Sequence, residues 1–265
     1  MKVSSRSERY FKSRHGGLFF LGGIGLILFL WWMASTLFNA PLVLPSPWQV
    51  FQELSNMLRR GSVFLSLVST FSKAITGLGI AFAFGVPVGM LSGLSRTADE
   101  LLKPFMMVVR SVPVVSWLAS AILLWGMGWT APTFIVAVSL FPLVCFNVAE
   151  GVRSVDLLLV EMARVYQVPK KRIMVDIYMG SLIPFMLSAF RVSIGTMWKV
   201  AIVAEYLAGN KGIGVELSWA KFYLNTPRVF AYTLLAVLAG LGLEKFFEFV
   251  IERYGRKWRI SLEVL

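Results

Sequence analysis

Apolar residues gather into six runs of about 20 positions, near 17–38, 64–94, 105–125, 131–149, 181–204 and 229–251, with polar and positively charged residues between them. A helix rises about 1.5 Å per residue, so each run is long enough to cross a hydrocarbon core roughly 30 Å thick. The pattern predicts an all-α, polytopic membrane protein with about six transmembrane helices in one domain over residues 1–265. A basic tail (1–16) precedes the first run, a long connection (150–180) separates the fourth from the fifth, and a second tail (252–265) follows the last. The first run is an anchor rather than a cleaved leader, because Trp31 and Trp32 close it and no small-residue cleavage site follows.

Composition and charge narrow the class. With 57% hydrophobic and 15% charged residues, and a mean hydropathy of +0.72, the chain is no water-soluble globule. Its net charge of +12 would suit nucleic acid were it gathered on one surface, but the cations fall between the apolar runs. With the N-terminus inside, 17 of the 26 Lys and Arg lie in inner segments and five (Arg59, Arg60, Lys211, Lys221, Arg228) in outer ones. Four more (Lys73, Arg110, Arg191, Lys199) sit in or at the edges of runs. The excess follows the rule that cytoplasmic loops are positive, places both termini in the cytoplasm and makes nucleic acid no partner. One cysteine (Cys145) and one histidine (His15) provide neither an intramolecular disulfide nor a Cys/His metal cage. No metal site is expected.

Two features inside the runs bear on transport. Arg191 and Lys199 lie eight positions apart in the fifth run, about 80° around a helix, so one broad face turns both away from lipid. Arg191 is expected to pair with an inner acid or a helix carboxyl end. Lys199 is a candidate for the substrate path, where a cation attracts an anion, or else snorkels outward beside Glu205. The second feature is small residues and prolines. Gly85, Gly89 and Gly93 form a stripe suited to close helix packing, and Pro87 within it marks a hinge. Pro113 breaks the third run, and discontinuous helices near the midplane are where transporters bind cargo, so Ser116 and Trp117 join Lys199 as path candidates.

The connections carry structure too. Segment 39–62, with Pro41, Pro45 and Pro47, reads as an extended entry and a short outer interfacial helix, and 205–228 as an outer segment whose Gly209, Gly212 and Gly214 form a flexible turn cluster. In the inner connection, 156–168 predicts an amphipathic helix ended by Pro169, with Leu158, Leu159, Met162, Val165 and Tyr166 on one side and Glu161, Arg164, Gln167 and Lys171 on the other. A mere joint needs no such helix. It either lies on the membrane surface or docks a cytoplasmic partner.

At these residues the chain resembles ATP-binding-cassette importer permeases of the nitrate/sulfonate/taurine/bicarbonate type. Glu161-Met162-Ala163, Ile183-Pro184, Arg191, Trp198 and Ala204-Glu205 are similar to the family's cytoplasmic loop and fifth span. Leu44-Pro45-Ser46-Pro47, Gly85-Val86-Pro87-Val88-Gly89, Arg110-Ser111-Val112-Pro113, the run from Glu150 to Asp156, and Gly212-Ile213-Gly214 follow the family's order, so the likeness covers about 42–258. Met162 stands where the family usually has Ala, Gln167 where it has Gly, and Met179-Gly180 where it has Leu-Pro. Val114-Val115-Ser116-Trp117 and Trp198-Lys199-Val200 are similar to a branch that includes pyrimidine thiamine-precursor permeases.

The resemblance implies a type I importer permease fold in the bacterial inner membrane. It implies a translocation path for a small anionic or heteroaromatic nutrient, half of it formed by a second permease copy in a homodimer. Two cytoplasmic ATPase subunits bind below, using ATP and Mg, and a substrate-binding protein delivers cargo from outside. No Gly-x-x-x-x-Gly-Lys-Ser/Thr loop is present, so this chain binds no cofactor by that device and is not itself the enzyme. The coupling residues implied are Glu161, Met162, Ala163, Arg164, Gln167, Val168 and Pro169. Two other classes remain beside this one: an ATPase-independent channel or ion-coupled carrier, disfavoured because the run interiors show essentially no acidic residues, and a membrane-embedded enzyme, disfavoured because no Ser/His pair or paired Asp lies within the runs.

Overall fold

The computed structural model describes residues 16–38, 40 and 42–255, and the two charged tails lie largely outside them. All regular structure among the described residues is helical. The elements are α1 (Gly16–Phe38), α2 (Pro47–Arg60), α3 (Ser62–Leu94), α4 (Arg96–Ser111), α5 (Val114–Trp125), α6 (Thr130–Arg153), α7 (Leu157–Val165), α8 (Lys170–Arg172), a π-helical turn (Ile173–Tyr178), α9 (Met179–Ala208), α10 (Ile213–Phe222) and α11 (Thr226–Gly255). Among the described residues four helices are long and apolar enough to cross a membrane, five if a bent pair counts as one span; α11 is 30 residues long. The count is close to the six expected.

The third run differs from expectation. It is not one span from 105 to 125 but the end of α4 followed by α5, with a 92° bend between them. Pro113 has no N–H to continue the helix and disfavours helical geometry at Val112, which is extended at φ −69°, ψ 127°. The 12 residues of α5 reach only about 18 Å, less than a full crossing. Pro87, by contrast, leaves α3 continuous.

The core is built where α3, α6 and α9 meet, around Ala74, Leu78 and Ala81 from the first, Val136 and Leu140 from the second, and Ile194, Met197 and Ala201 from the third. α3 and α6 run side by side in a row that repeats every four residues. Gly77 lies against Val136, Gly85 against Val144, Gly89 against Cys145 and Val148, and Gly93 against Val152. A Cβ at Gly89 would stand 2.7 Å from the Cys145 carbonyl oxygen, so only glycine permits this approach.

At the outer side, Ser46 and Gln49 cap α2 reciprocally, Pro47 opens it, and Val50 and Met57 face the cluster that also holds Tyr232 of α11. Trp31 of α1 is not a free belt residue: its ring stacks on Phe230 at 5.8 Å and its indole N–H donates to the Pro45 carbonyl.

Candidate functional site

The inner connection is helical through most of its length. Asp156 caps α7 by accepting from the Leu158 N–H at 2.9 Å, and the helix ends at Val165, three residues short of the predicted end. The end is a Schellman turn: the Val168 N–H donates to the Ala163 carbonyl and the Gln167 N–H to the Arg164 carbonyl, both at 2.9 Å. Gln167 takes φ +55°, the left-handed position that favours glycine, so the turn keeps its shape without one. The second half of the connection is not a loop. It passes through α8 and the π-helical turn directly into α9, and Gly180 at the usual proline position leaves that path unbroken.

The side of α7 that its own chain covers lies outside both stripes read from the sequence. Val160 and Ala163, three apart, are buried with Val155 and Ile173 and packed by Val168, Ile177 and Tyr178. The stripe read as the apolar side is exposed, with Val165 at 79% and Tyr166 at 78%. Leu158, Leu159 and Met162 are exposed as well, and so are Glu161, Arg164 and Gln167. Periodicity identifies an apolar face but not whether the chain's own core covers it.

Just before α7, three spans are tied together. Arg153 at the end of α6 pairs with Asp99 of α4 at 2.6 Å, and the Ser92 hydroxyl of α3 donates to the same carboxylate at 2.6 Å.

The outer end of α9 holds a second polar assembly, which the sequence did not reveal. Glu205 is not at the edge of an outer loop. It is buried at 1% exposure, one turn before the end of α9 at Ala208. Its carboxylate accepts from Lys73 Nζ at 2.7 Å, from the Thr70 hydroxyl at 2.7 Å and from the Gly214 N–H at 3.2 Å. Lys73, fully buried, also donates to the Lys211 carbonyl, and Thr70 Oγ1 accepts from the Ile213 N–H. The expectation that run interiors hold essentially no acid is corrected by Glu244 and Glu248 in the sixth run and by Glu205 just past the fifth; Glu205 is fully partnered and so is not a free carrier for a cation. Nor is the glycine cluster a flexible turn: Gly212 and Gly214 bring the start of α10 against the Glu205 side chain, where any Cβ would collide.

The path candidates divide between two places. Arg191 and Lys199 line one groove of about 390 Å³ between α9 and α11, opposite Glu244 and Glu248. Beside it, Trp198 donates its indole N–H to the Ala236 carbonyl at 2.9 Å, and Gly240 lies under its ring. Trp117 sits on another side of α9, among Leu118, Ala121, Ile135, Ala204 and Ala208, donating to the Val109 carbonyl at 3.4 Å. Ser116 is exposed in the first turn of α5, its N–H bonded to the Pro113 carbonyl. Lys199 is exposed rather than paired with Glu205. Ser116 and Trp117 are not among the residues that line the groove of Lys199.

A family model described as a binding-protein-dependent transport system inner membrane component matches residues 85–259. The chain is 27% identical over 233 residues to the taurine transport system permease protein of Escherichia coli (strain K12), covering 84% of this chain and 85% of that protein. It is 26% identical over 239 residues to the bicarbonate transport system permease protein of Synechococcus elongatus, covering 85% of each. Among solved structures, the MetNI methionine ABC transporter in an inward-facing conformation is similar in fold, with a TM-score of 0.63, 17% identity, and coverage of 76% of this chain and 98% of that chain.

Proposed function

Since the chain belongs to the binding-protein-dependent transport system inner membrane components, and is thus a multi-pass permease subunit of an ATP-binding-cassette importer, we propose that α7 is the handle by which a cytoplasmic ATPase moves it. The observation that carries this reading is the exposed apolar stripe of α7, displayed on a helix whose opposite side is fixed to its own chain by Val160 and Ala163. A large apolar surface beside charged groups suits a protein partner. Leu158, Met162 and Tyr166 fill a pocket on the ATPase, and Glu161 and Arg164 set the register with charged groups around it.

ATP and Mg are held by that partner. Its closure pushes α7 and the start of α9 as one body, and the Arg153–Asp99 link passes the displacement to α4 and α3. Both termini are cytoplasmic, cargo arrives outside on a substrate-binding protein, and a second copy completes the passage. The cargo is a small anionic or heteroaromatic nutrient, with Lys199 as the cation on the route and Ser116 and Trp117 at the bend of the broken third span. The charge of Lys199 supports this choice, because a cation on the route attracts an anion.

The test is co-purification of the chain with its ATPase. Glu161→Lys is expected to abolish recovery of the complex and ATP-driven uptake; an intact complex with unimpaired uptake would overturn the docking role.

A further inference from the structure

The α9–α11 face carries four formal charges that the single chain leaves unanswered. Arg191, Lys199, Glu244 and Glu248 are all exposed, and none forms an ion pair among the described residues. They lie within membrane-crossing helices, where a charge turned to lipid is costly, so lipid does not cover this face. The order of the charges along the face is informative. Glu244 packs on Gly195, which fixes the level of α11 against α9. Lys199 is one turn, about 6 Å, to the outer side of that level and Arg191 one turn to the inner side. Because α11 runs opposite to α9, Glu248 falls one turn inward of Glu244, beside Arg191. The face thus presents cations on one helix and acids on the other, Arg191 level with Glu248 and Lys199 one turn outward of Glu244.

A two-fold axis along the membrane normal keeps every residue at its own depth and sets each patch against itself. Arg191 of one copy then meets Glu248 of the other at the same level, and the long Lys199 side chain reaches one turn inward to Glu244. We infer that this face is the seam with a second copy of the chain, Arg191 and Lys199 of each copy lying opposite Glu248 and Glu244 of the other. The inference rests on the permease reading, which supplies the second copy, and it adds which surface meets it and through which charges. An anionic cargo entering the seam competes with Glu244 for Lys199, so the pairs also close the passage when it is empty.

The test uses the full-length chain with two different affinity tags, co-expressed with its ATPase, and tandem capture reads the amount of dimer. Lys199→Glu in both copies, or Glu244→Lys in both, is expected to reduce captured dimer at least tenfold. Co-expression of one Lys199→Glu chain with one Glu244→Lys chain is expected to restore it to within about twofold, because both pairs across the seam regain opposite signs. Rescue only when both changes sit in the same chain would place the pair within one copy and overturn the seam, as would single reversals that leave the dimer intact. Where the reversals impair folding, co-expression of one Arg191→Cys chain with one Glu248→Cys chain, both carrying Cys145→Ala, provides a second reading. Here a disulfide cross-link between copies supports the seam, and its absence in a captured dimer refutes it. Capture of the ATPase by the unmutated chain is scored in the same samples. Its presence with no seam overturns only this inference; its absence overturns the permease reading itself.

Discussion

Two short helices flank α9, and they are held in opposite ways. α10, of ten residues, is bound to the spans by a buried ion pair, a threonine and close glycine contacts. α7, of nine residues, touches its own chain through little more than Val160 and Ala163 and shows the rest of its apolar surface outward. Equal length and similar position do not give equal roles. α10 is fixed at its start and leaves Trp219 and Phe222 exposed only at its far end, whereas α7 leaves an apolar stripe open along its length, shaped for a surface that another molecule brings.

The sharpest way to break this contrast is at the buried pair. Glu205→Ala leaves the Lys73 ammonium without its carboxylate in a dry site and is expected to cost about 3 to 5 kcal/mol, read as a lower unfolding temperature of the purified chain in detergent. A smaller effect is expected from overpacking beneath α7. Ala163→Leu should cost about 1 to 3 kcal/mol locally, detected as faster proteolytic cleavage within 150–180 while the spans stay folded. Changes on the outer stripe should separate stability from partnership. Met162→Ser with Tyr166→Ser is expected to shift stability by no more than about 0.5 kcal/mol per position and yet to lose most of the captured ATPase. The smallest effect is expected at the end of α7. Gln167→Gly relieves a left-handed side chain but loosens the unfolded chain, for a net gain of about 1 kcal/mol or less, whereas Gln167→Val should be destabilising in the same melt.

How far the sequence reached depended on the range of the interaction. Apolar runs located α1, α3, α6 and α9 because a span's length and composition are local properties. Pro113 marked the break in the third run for the same reason, although not the 92° turn that follows from how α4 and α5 pack. The helix beginning at Asp156 was legible from apolar spacing, and the Glu161-Met162-Ala163 segment from the family resemblance. The Lys73–Glu205 pair was not: the partners stand 132 positions apart, and Glu205 lay just beyond the end of the apolar run. Both stripes of α7 are exposed, and Val160 and Ala163, which hold the helix to its chain, belong to neither, so the helical period did not show them. Gln167 concealed its turn, since the usual glycine signal is absent. Arg191 and Lys199 were placed on one side correctly in angle, but the acids opposite them come from α11, which no local pattern joins to α9.

The most direct measurement is site-specific labelling of the α7 stripe. With Cys145 replaced by Ala, a single cysteine at Val165 is tested with a membrane-impermeant thiol reagent in inverted vesicles, with the ATPase present and after it has been stripped. We expect rapid labelling of the bare chain from the cytoplasmic side and at least tenfold protection when the ATPase is bound. Equal labelling in both states, or no access from the cytoplasmic side, would contradict the assignment of α7 as the docking handle.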